Sequence, residues 1–258
     1  MAFILIALSG LGSHLFSQAI SVTPQRPSFS TSAATTRPGW LELESGVTVD
    51  KHLIDSPLLL KLGATAKTEF FLGFSPLLEV SNGKSESGFG DLVFGGRVRF
   101  MEQVQNTPAL AGQFSIKLPT ADEDKGLGTG KVDVNVLFIA SQEFPHMNVD
   151  VNAGLGLVSS TREHHLQFTG TVIFSRGFTG KMSGYAELLV RHNIESEKRP
   201  DMFEVSDAVF IGSVGATYFV SHRFALDAAV NFNVSDAPFD VQGLFGATVL
   251  LAKVGGSN

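Results

Sequence analysis

Residues 131–141, KVDVNVLFIAS, sort into two surfaces when read two at a time. Val132, Val134, Val136, Phe138 and Ala140 fall on one side of an extended chain, and Asp133, Asn135, Leu137, Ile139 and Ser141 on the other, because successive side chains of a strand point to opposite faces. One face is purely apolar and the other is mixed. Moving outward, the same split recurs in Leu92, Phe94, Val98 and Phe100 against Asp91, Arg97 and Arg99. It recurs again in Phe224, Leu226, Ala228, Val230 and Phe232 against Asp227, Asn231 and Asn233. No long segment after Trp40 carries an amphipathic helical stripe, so the domain reads as all-β.

Carried along the chain, this period predicts about twelve strands, near 40–49, 57–62, 68–78, 89–101, 108–118, 131–142, 149–158, 165–176, 181–192, 205–220, 222–234 and 238–252. Most run to about 10 residues or more, whereas strands of soluble proteins cluster near 5 or 6 and a tilted strand crossing a bilayer needs about 9 to 11. The connections add an independent test, since outer-membrane barrels alternate short periplasmic turns with long external loops. Residues 63–67, 143–148, 177–180 and the neighbourhood of Ser221 are short; 79–88, 119–130 and 193–204 are long and charged. The stretch 235–237 departs from this alternation by being short. The expectation is a single transmembrane, antiparallel, up-and-down β-barrel of about 12 strands, of outer-membrane type, over residues 40–258.

Composition narrows the function. Only 17% of the 258 residues are charged and the net charge is −6, so no basic field is available to hold a nucleic acid. Cys is absent, which removes disulfide frameworks, thiolate metal sites and a cysteine nucleophile together. Residues 1–19 resemble a secretory signal peptide, with an apolar run from Ala2 to Leu11 and small residues at Ser17 and Ala19, although no Lys or Arg precedes the run. Residues 20–39, rich in Ser, Thr and Pro, are expected to form a flexible arm whose positive charge (Arg26, Arg37) also suits an acidic cavity.

Energetics decide which face meets lipid. A Lys or Arg on the lipid face at the bilayer midplane costs about 2–4 kcal/mol, so a membrane barrel confines its charges to the lumen side. Glu42, Glu44, Lys61, Glu69, Asp91, Arg97, Arg99, Lys117, Asp133, Asp150, Glu187, Arg191, Asp227 and Asp240 all lie opposite the aliphatic face of their strands. Of these, Glu69, Asp91, Arg97, Arg99, Lys117, Asp133, Glu187, Arg191 and Asp227 are the candidate lumen-lining residues, forming either a salt-bridged plug or a narrow wet path. A soluble lipocalin-like periplasmic carrier would invert the facing, with charges outward. With 22 Phe but 2 Tyr and 1 Trp, any interfacial aromatic girdle has to be built from Phe. The last strand ends Phe245 to Ala252 without a terminal aromatic.

Three short stretches resemble outer-membrane proteins of the MetA-pathway-of-phenol-degradation family. They are Gly88-Phe89-Gly90-Asp91 opening a strand, Lys117-Leu118-Pro119-Thr120 closing the next, and Gly128-Thr129-Gly130 through Asp133 opening the one after. The resemblance extends from Trp40 to Ala252 and implies a β-barrel that passes small compounds, aromatic ones among them, across the outer membrane; it brings no catalytic residues.

Chemistry has little foothold elsewhere. No pair among His14, His52, His146, His164, His165, His192 and His222 has metal-site spacing, and adjacent His164 and His165 would face opposite ways. No G-x-S-x-G elbow occurs, and Asp122-Glu123-Asp124 reads as a solvated acidic loop rather than a cation site. The sequence therefore points away from an enzyme, a metal or a cofactor. It points to a passive outer-membrane channel or uptake protein for small, hydrophobic or aromatic solutes, whose partners are outer-membrane lipid, the barrel-assembly machinery and the solute. A non-conducting structural barrel and a soluble carrier are the alternatives.

Overall fold

A computed structural model describes residues 21–81, 83–159, 164–194, 208–235 and 239–254; residues 1–19, read as a signal peptide, lie outside them. The chain forms β1 (Trp40–Val49), β2 (Leu53–Asp55), β3 (Leu58–Gly63), β4 (Thr68–Phe74), β5 (Leu78–Ser81), β6 (Ser85–Gly88), β7 (Leu92–Met101) and β8 (Ala109–Leu118). It continues with β9 (Asp133–Phe144), β10 (Met147–Ser159), β11 (His164–Thr179), β12 (Met182–Asn193), β13 (Ala208–Ser221), β14 (Phe224–Ser235) and β15 (Val241–Lys253). Each strand from β7 to β15 pairs antiparallel with its sequence neighbour, β4 joins β7, β3 joins β4 and β1 joins β3. β15 then pairs with β1, for example Glu44 with Thr248, and closes a barrel of 12 strands. Closure leaves none of these twelve strands with an open side, the condition a sheet must meet to sit in hydrocarbon.

The remaining strands extend one end of the barrel. β2 pairs with β1 and β5, and β5 with β6. Where the period predicts a single strand through 68–78 and a loop at 79–88, the chain breaks at Ser75-Pro76-Leu77, and Leu78–Ser81 pairs with Ser85–Gly88 as a hairpin. Pro76 supplies no N–H to continue the ladder, and Gly83, at φ +80°, makes the tight reversal between β5 and β6. Asp240, expected on the lumen side, instead pairs with Lys51 at 3.0 Å in solvent at this end. Most of the charged connection at 193–204, and the short one at 235–237, fall outside the described residues.

Facing follows the alternation. Phe94, Val98, Phe100, Phe114, Val136, Phe138, Leu155, Phe174, Leu188, Val230 and Phe245 are exposed on the outside. Inside, Glu42, Glu44, Lys61, Glu69 and Arg97 are fully buried. An apolar exterior around a polar interior is the arrangement of a membrane barrel and the inverse of a soluble carrier. Phenylalanine serves this sheet in a second way. Phe70 lies over Gly96, Phe71 over Gly95 and Phe232 over Gly212, each ring covering the glycine directly opposite it in the register. The pairing hides backbone that a bare glycine would expose. The chain's one tryptophan, Trp40, sits at the short-turn rim with the Arg223 guanidinium 4.8 Å from its ring, an interfacial placement suited to both.

Val136, exposed on the outer face, and Asn135, on the inner face of the same strand, test this facing. Val136→Arg should lower the stability of the inserted barrel by about 2–4 kcal/mol, whereas Asn135→Arg should be tolerated. Refolding into lipid vesicles, followed by the heat-dependent gel mobility of the closed barrel, measures both; equal tolerance would reverse the facing.

Candidate functional site: the lumen and the arm inside it

Ten residues between Thr23 and Thr36, in the segment before β1, reach side chains of the wall through their backbone. Residues 21–39 carry no regular secondary structure, so their amides need partners elsewhere once buried. Six of those amides donate to carboxylates. Thr23 donates to Glu42 (2.8 Å) and Gln25 and Arg26 to Glu44 (3.0 and 2.9 Å). Phe29 and Ser30 donate to Glu187 (2.9 and 2.5 Å), and Thr36 to Glu69 (2.6 Å). Thr31 donates to Asn152 and Ala33 to the Ser141 hydroxyl, both at 2.8 Å, while the carbonyls of Ser32 and Ala34 accept from Arg97 at 2.7 and 2.8 Å. Pro24 and Pro27 have no N–H to satisfy. The expected flexible arm is thus an ordered insert, and the physical reason lies in these acceptors.

Its path is a loop. Val22 bonds to His222 in the β13–β14 turn, and Gly39 bonds to Gly63 at the end of β3; both contacts are at the end of the barrel with short turns, the periplasmic side of such a fold. Between them the chain climbs to Glu44, Glu187 and Asn152 and returns past Ser141 and Arg97. Ala33 packs on Ala111 and Ile139, Val22 on Ala225 and Leu250. Arg26 reaches the barrel seam, where Gly46 and Gly246 face each other in the register. A Cβ at Gly246 would fall 2.7 Å from Arg26 Nε, and one at Gly46 would strike the same guanidinium. The glycine pair makes room for the arginine, which bonds to the Phe245 carbonyl at 3.3 Å and lies 3.9 Å from Asp227.

The candidate lumen residues divide into two groups. Glu69, Arg97, Glu187 and Asp227 join Glu42, Glu44 and Lys61 around the arm. Lys61 bridges Glu42 and Glu44 at 2.5 Å each and donates to the Thr23 carbonyl at 2.7 Å; Arg97 lies 3.4 Å from Glu69. Asp91, Lys117 and Asp133 meet at the opposite mouth. Lys117 Nζ is 3.3 Å from Asp91, 3.0 Å from Asp133 and 2.9 Å from the Thr129 hydroxyl. Asp91 accepts from the amides of Thr120 and Ala121, both at 2.9 Å, and Asp133 from the amide of Ser159 at 2.8 Å. The three glycine-rich stretches of the sequence therefore converge on one lysine, which pins loop 119–130 with Leu127 buried beneath it.

Two candidates stand apart from both groups. Arg99 sits at the short-turn rim, bonded to the Ala66 carbonyl at 2.7 Å and paired with Glu102 at 3.2 Å. Arg191 is exposed on the inner side of β12, opposite Thr169 and Val209. Sequence reasoning missed the arm's backbone and the glycine pair that seats Arg26. The signals present were the surplus of inward carboxylates and the prolines of the arm, Pro24, Pro27 and Pro38. Between arm and wall remains a cavity of about 270 Å³, bordered by Pro24, Pro27, Ile173, Tyr185 and Phe219 together with serine hydroxyls and Asp150.

A closed barrel of long strands, apolar outside and polar within, is a transmembrane β-barrel of the bacterial outer membrane. Residues 24–251 match the family described as "Putative MetA-pathway of phenol degradation", and the chain belongs to that family. The match begins inside the arm. Among solved structures, an outer membrane channel from Pseudomonas putida F1 superposes with a TM-score of 0.70 at 12% identity, over 87% of this chain and 100% of that one. The NanC porin gives 0.58 at 5% identity (82% and 100%), and the KdgM porin, solved in complex with disordered oligogalacturonate, 0.59 at 7% (82% and 99%). At these identities the likeness concerns the fold. No curated protein matches the chain by sequence.

Lys61 holds two carboxylates, and all three side chains are wholly buried. Lys61→Met should therefore destabilise the arm–wall assembly by about 3–5 kcal/mol, the penalty for leaving buried charges unpaired. Lys51→Met, at the exposed pair with Asp240, should cost about 1 kcal/mol or less. Urea midpoints, with protease cleavage within residues 24–36 as the local readout, check the contrast.

Proposed function

We propose that the protein is a passive channel for small solutes with hydrophobic or aromatic character, and that the arm sets the width of its passage. The observation that carries this reading is the cavity beside the arm. At about 270 Å³ it lies just under the range of pockets that hold drug-sized ligands, roughly 300–1,000 Å³, which suits a solute of about one ring. Its border mixes ring and aliphatic surface from Pro27, Ile173, Tyr185 and Phe219 with a larger polar share from Arg26, Asp150, Asn148, Thr217 and several serine hydroxyls. A phenol-like molecule would set its flat face against the first group and its hydroxyl among the second. The family description, with its reference to phenol degradation, agrees with that chemistry.

The route past the arm has two charged ends. On the external side the solute meets loop 119–130, held by Lys117; on the periplasmic side it passes wall carboxylates whose oxygens are occupied by arm amides. Those carboxylates are unavailable to a passing cation while the arm is seated, so selection there rests on size and surface rather than on charge.

A disulfide tether tests the arm's part, and the chain's lack of cysteine gives a clean background. Ser30 and Thr171 hydroxyl oxygens are 2.7 Å apart, so Ser30→Cys with Thr171→Cys can fasten the arm to β11. In planar bilayers the untethered protein should conduct, with millimolar phenol interrupting the current and equimolar glucose leaving it unchanged. Oxidation of the tethered variant should reduce conductance and reduction should restore it. Absence of conductance in all forms would replace this reading with a structural barrel, and equal block by phenol and glucose would remove the preference for aromatic solutes.

A further inference from the structure

On the outer surface one row of residues departs from the large apolar pattern. Reading across the register, Arg176 of β11 lies opposite Gly184 of β12, Gly184 opposite Ala216 of β13, Ala216 opposite Ala228 of β14, and Ala228 opposite Phe245 of β15. Arg176 shares the outward parity of Phe174 and Phe178, which are 48% and 62% exposed, so it is a cation on the lipid side. The next row, Ala186, adds another small residue. Small residues flanked by Phe174, Phe178, Val214, Val230 and Phe245 leave a trough of about 860 Å³ with an almost wholly apolar lining, and Arg176 and His146 border its one end.

The direction of the trough is informative. Arg176 is near the end of β11 at Thr179 and Gly184 near the start of β12 at Met182, both beside the short turn, whereas Phe245 is far from the end of β15 at Lys253. The row therefore starts at the periplasmic interface and climbs into the hydrocarbon. Four strand spacings of about 4.8 Å give it a length of about 19 Å. With strands tilted about 45°, that rises roughly 13 Å, against roughly 15 Å for one leaflet of the core. Lys181 adjoins in the β11–β12 turn, and the stretch 174–186 contains no Asp or Glu.

We propose that this trough binds an anionic phospholipid of the inner leaflet, the phosphate against Arg176 and one acyl chain along Gly184, Ala216 and Ala228. Charge and shape select this occupant together. A lipid-facing arginine is costly in hydrocarbon but favourable at the headgroup level beside phosphate. A depression in a face otherwise covered by Phe, Leu and Val is filled by something slender and apolar. Phe178, whose ring lies over Gly184, turns aside or forms the trough's rim when the chain is seated.

Native mass spectrometry of the purified full-length protein, mixed with equimolar phosphatidylglycerol and phosphatidylcholine, tests the site. The wild type should retain one phosphatidylglycerol about fivefold over phosphatidylcholine, the preference expected from one interfacial charge. Arg176→Gln should bring the ratio to near one. Ala216→Leu and, separately, Ala228→Leu should lower retention of both lipids by filling the trough; heat-dependent gel mobility confirms that each variant remains a closed barrel. Equal retention of the two lipids by the wild type, or a preference that survives Arg176→Gln, would overturn the proposal. So would a dimer lost on Ala216→Leu, which would assign the trough to a second copy of the chain.

Discussion

A buried amide must find an acceptor, and in this protein that requirement ties the arm to the barrel. Residues 21–39 enter the lumen with no helix or strand to absorb their N–H groups. Six of those groups end on the carboxylates of Glu42, Glu44, Glu69 and Glu187. Hydrogen bonds to ionised acceptors are the stronger kind, about 1.5–3 kcal/mol where neutral ones give about 1. The same carboxylates would be expensive inside a barrel without donors. Neither arm nor wall is a comfortable surface alone, and each supplies what the other lacks.

Two parts of the lumen are organised by different means. Along the arm, which climbs from the periplasmic end to mid-barrel, the ordering element is backbone met by side chains, with the glycine pair Gly46 and Gly246 thinning the seam for Arg26. At the external end a single lysine gathers three separate chain segments through Asp91, Thr129 and Asp133. That second arrangement is local, since its members lie on β8, on β9, in the loop between them and at Asp91 just before β7. It fixes one loop. The first draws on both halves of the barrel, from Glu42 on β1 to Glu187 on β12 and Asp227 on β14, and so depends on closure.

How much of this is legible in the sequence depends on the range of the interaction. Alternation in 131–141 reports facing directly, because the environment of Val136 is set by its own strand. Strand number and connection lengths follow for the same reason. Local chemistry also explains the error at 68–78: Pro76 ends a ladder, but the sequence alone does not say whether the chain beyond it pairs again, and β5 pairs with β2 from a different connection. The arm is the harder case. A Ser/Thr/Pro-rich segment without period looks the same whether it is solvated or satisfied by acceptors more than a hundred residues away, as Ser30 is by Glu187. Likewise the row from Arg176 to Phe245 exists only through four registers, and no single strand carries its pattern.

The charge of the inner wall sharpens the relation between arm and passage. Around the arm the wall presents Glu42, Glu44, Glu69, Glu187 and Asp227 against Lys61 and Arg97, an acidic excess in a confined, poorly screened space. Arg26 and the donated amides offset it while the arm is in place. Withdrawing the arm would therefore do more than widen the lumen: it would convert a section that selects by size and surface into one lined by free carboxylates, attractive to cations and unfavourable to anions. The same excess opposes withdrawal, because the wall loses its donors as the arm leaves. Any withdrawal of the arm and the charge preference of the lumen would consequently be linked, both depending on how well the carboxylates are paired.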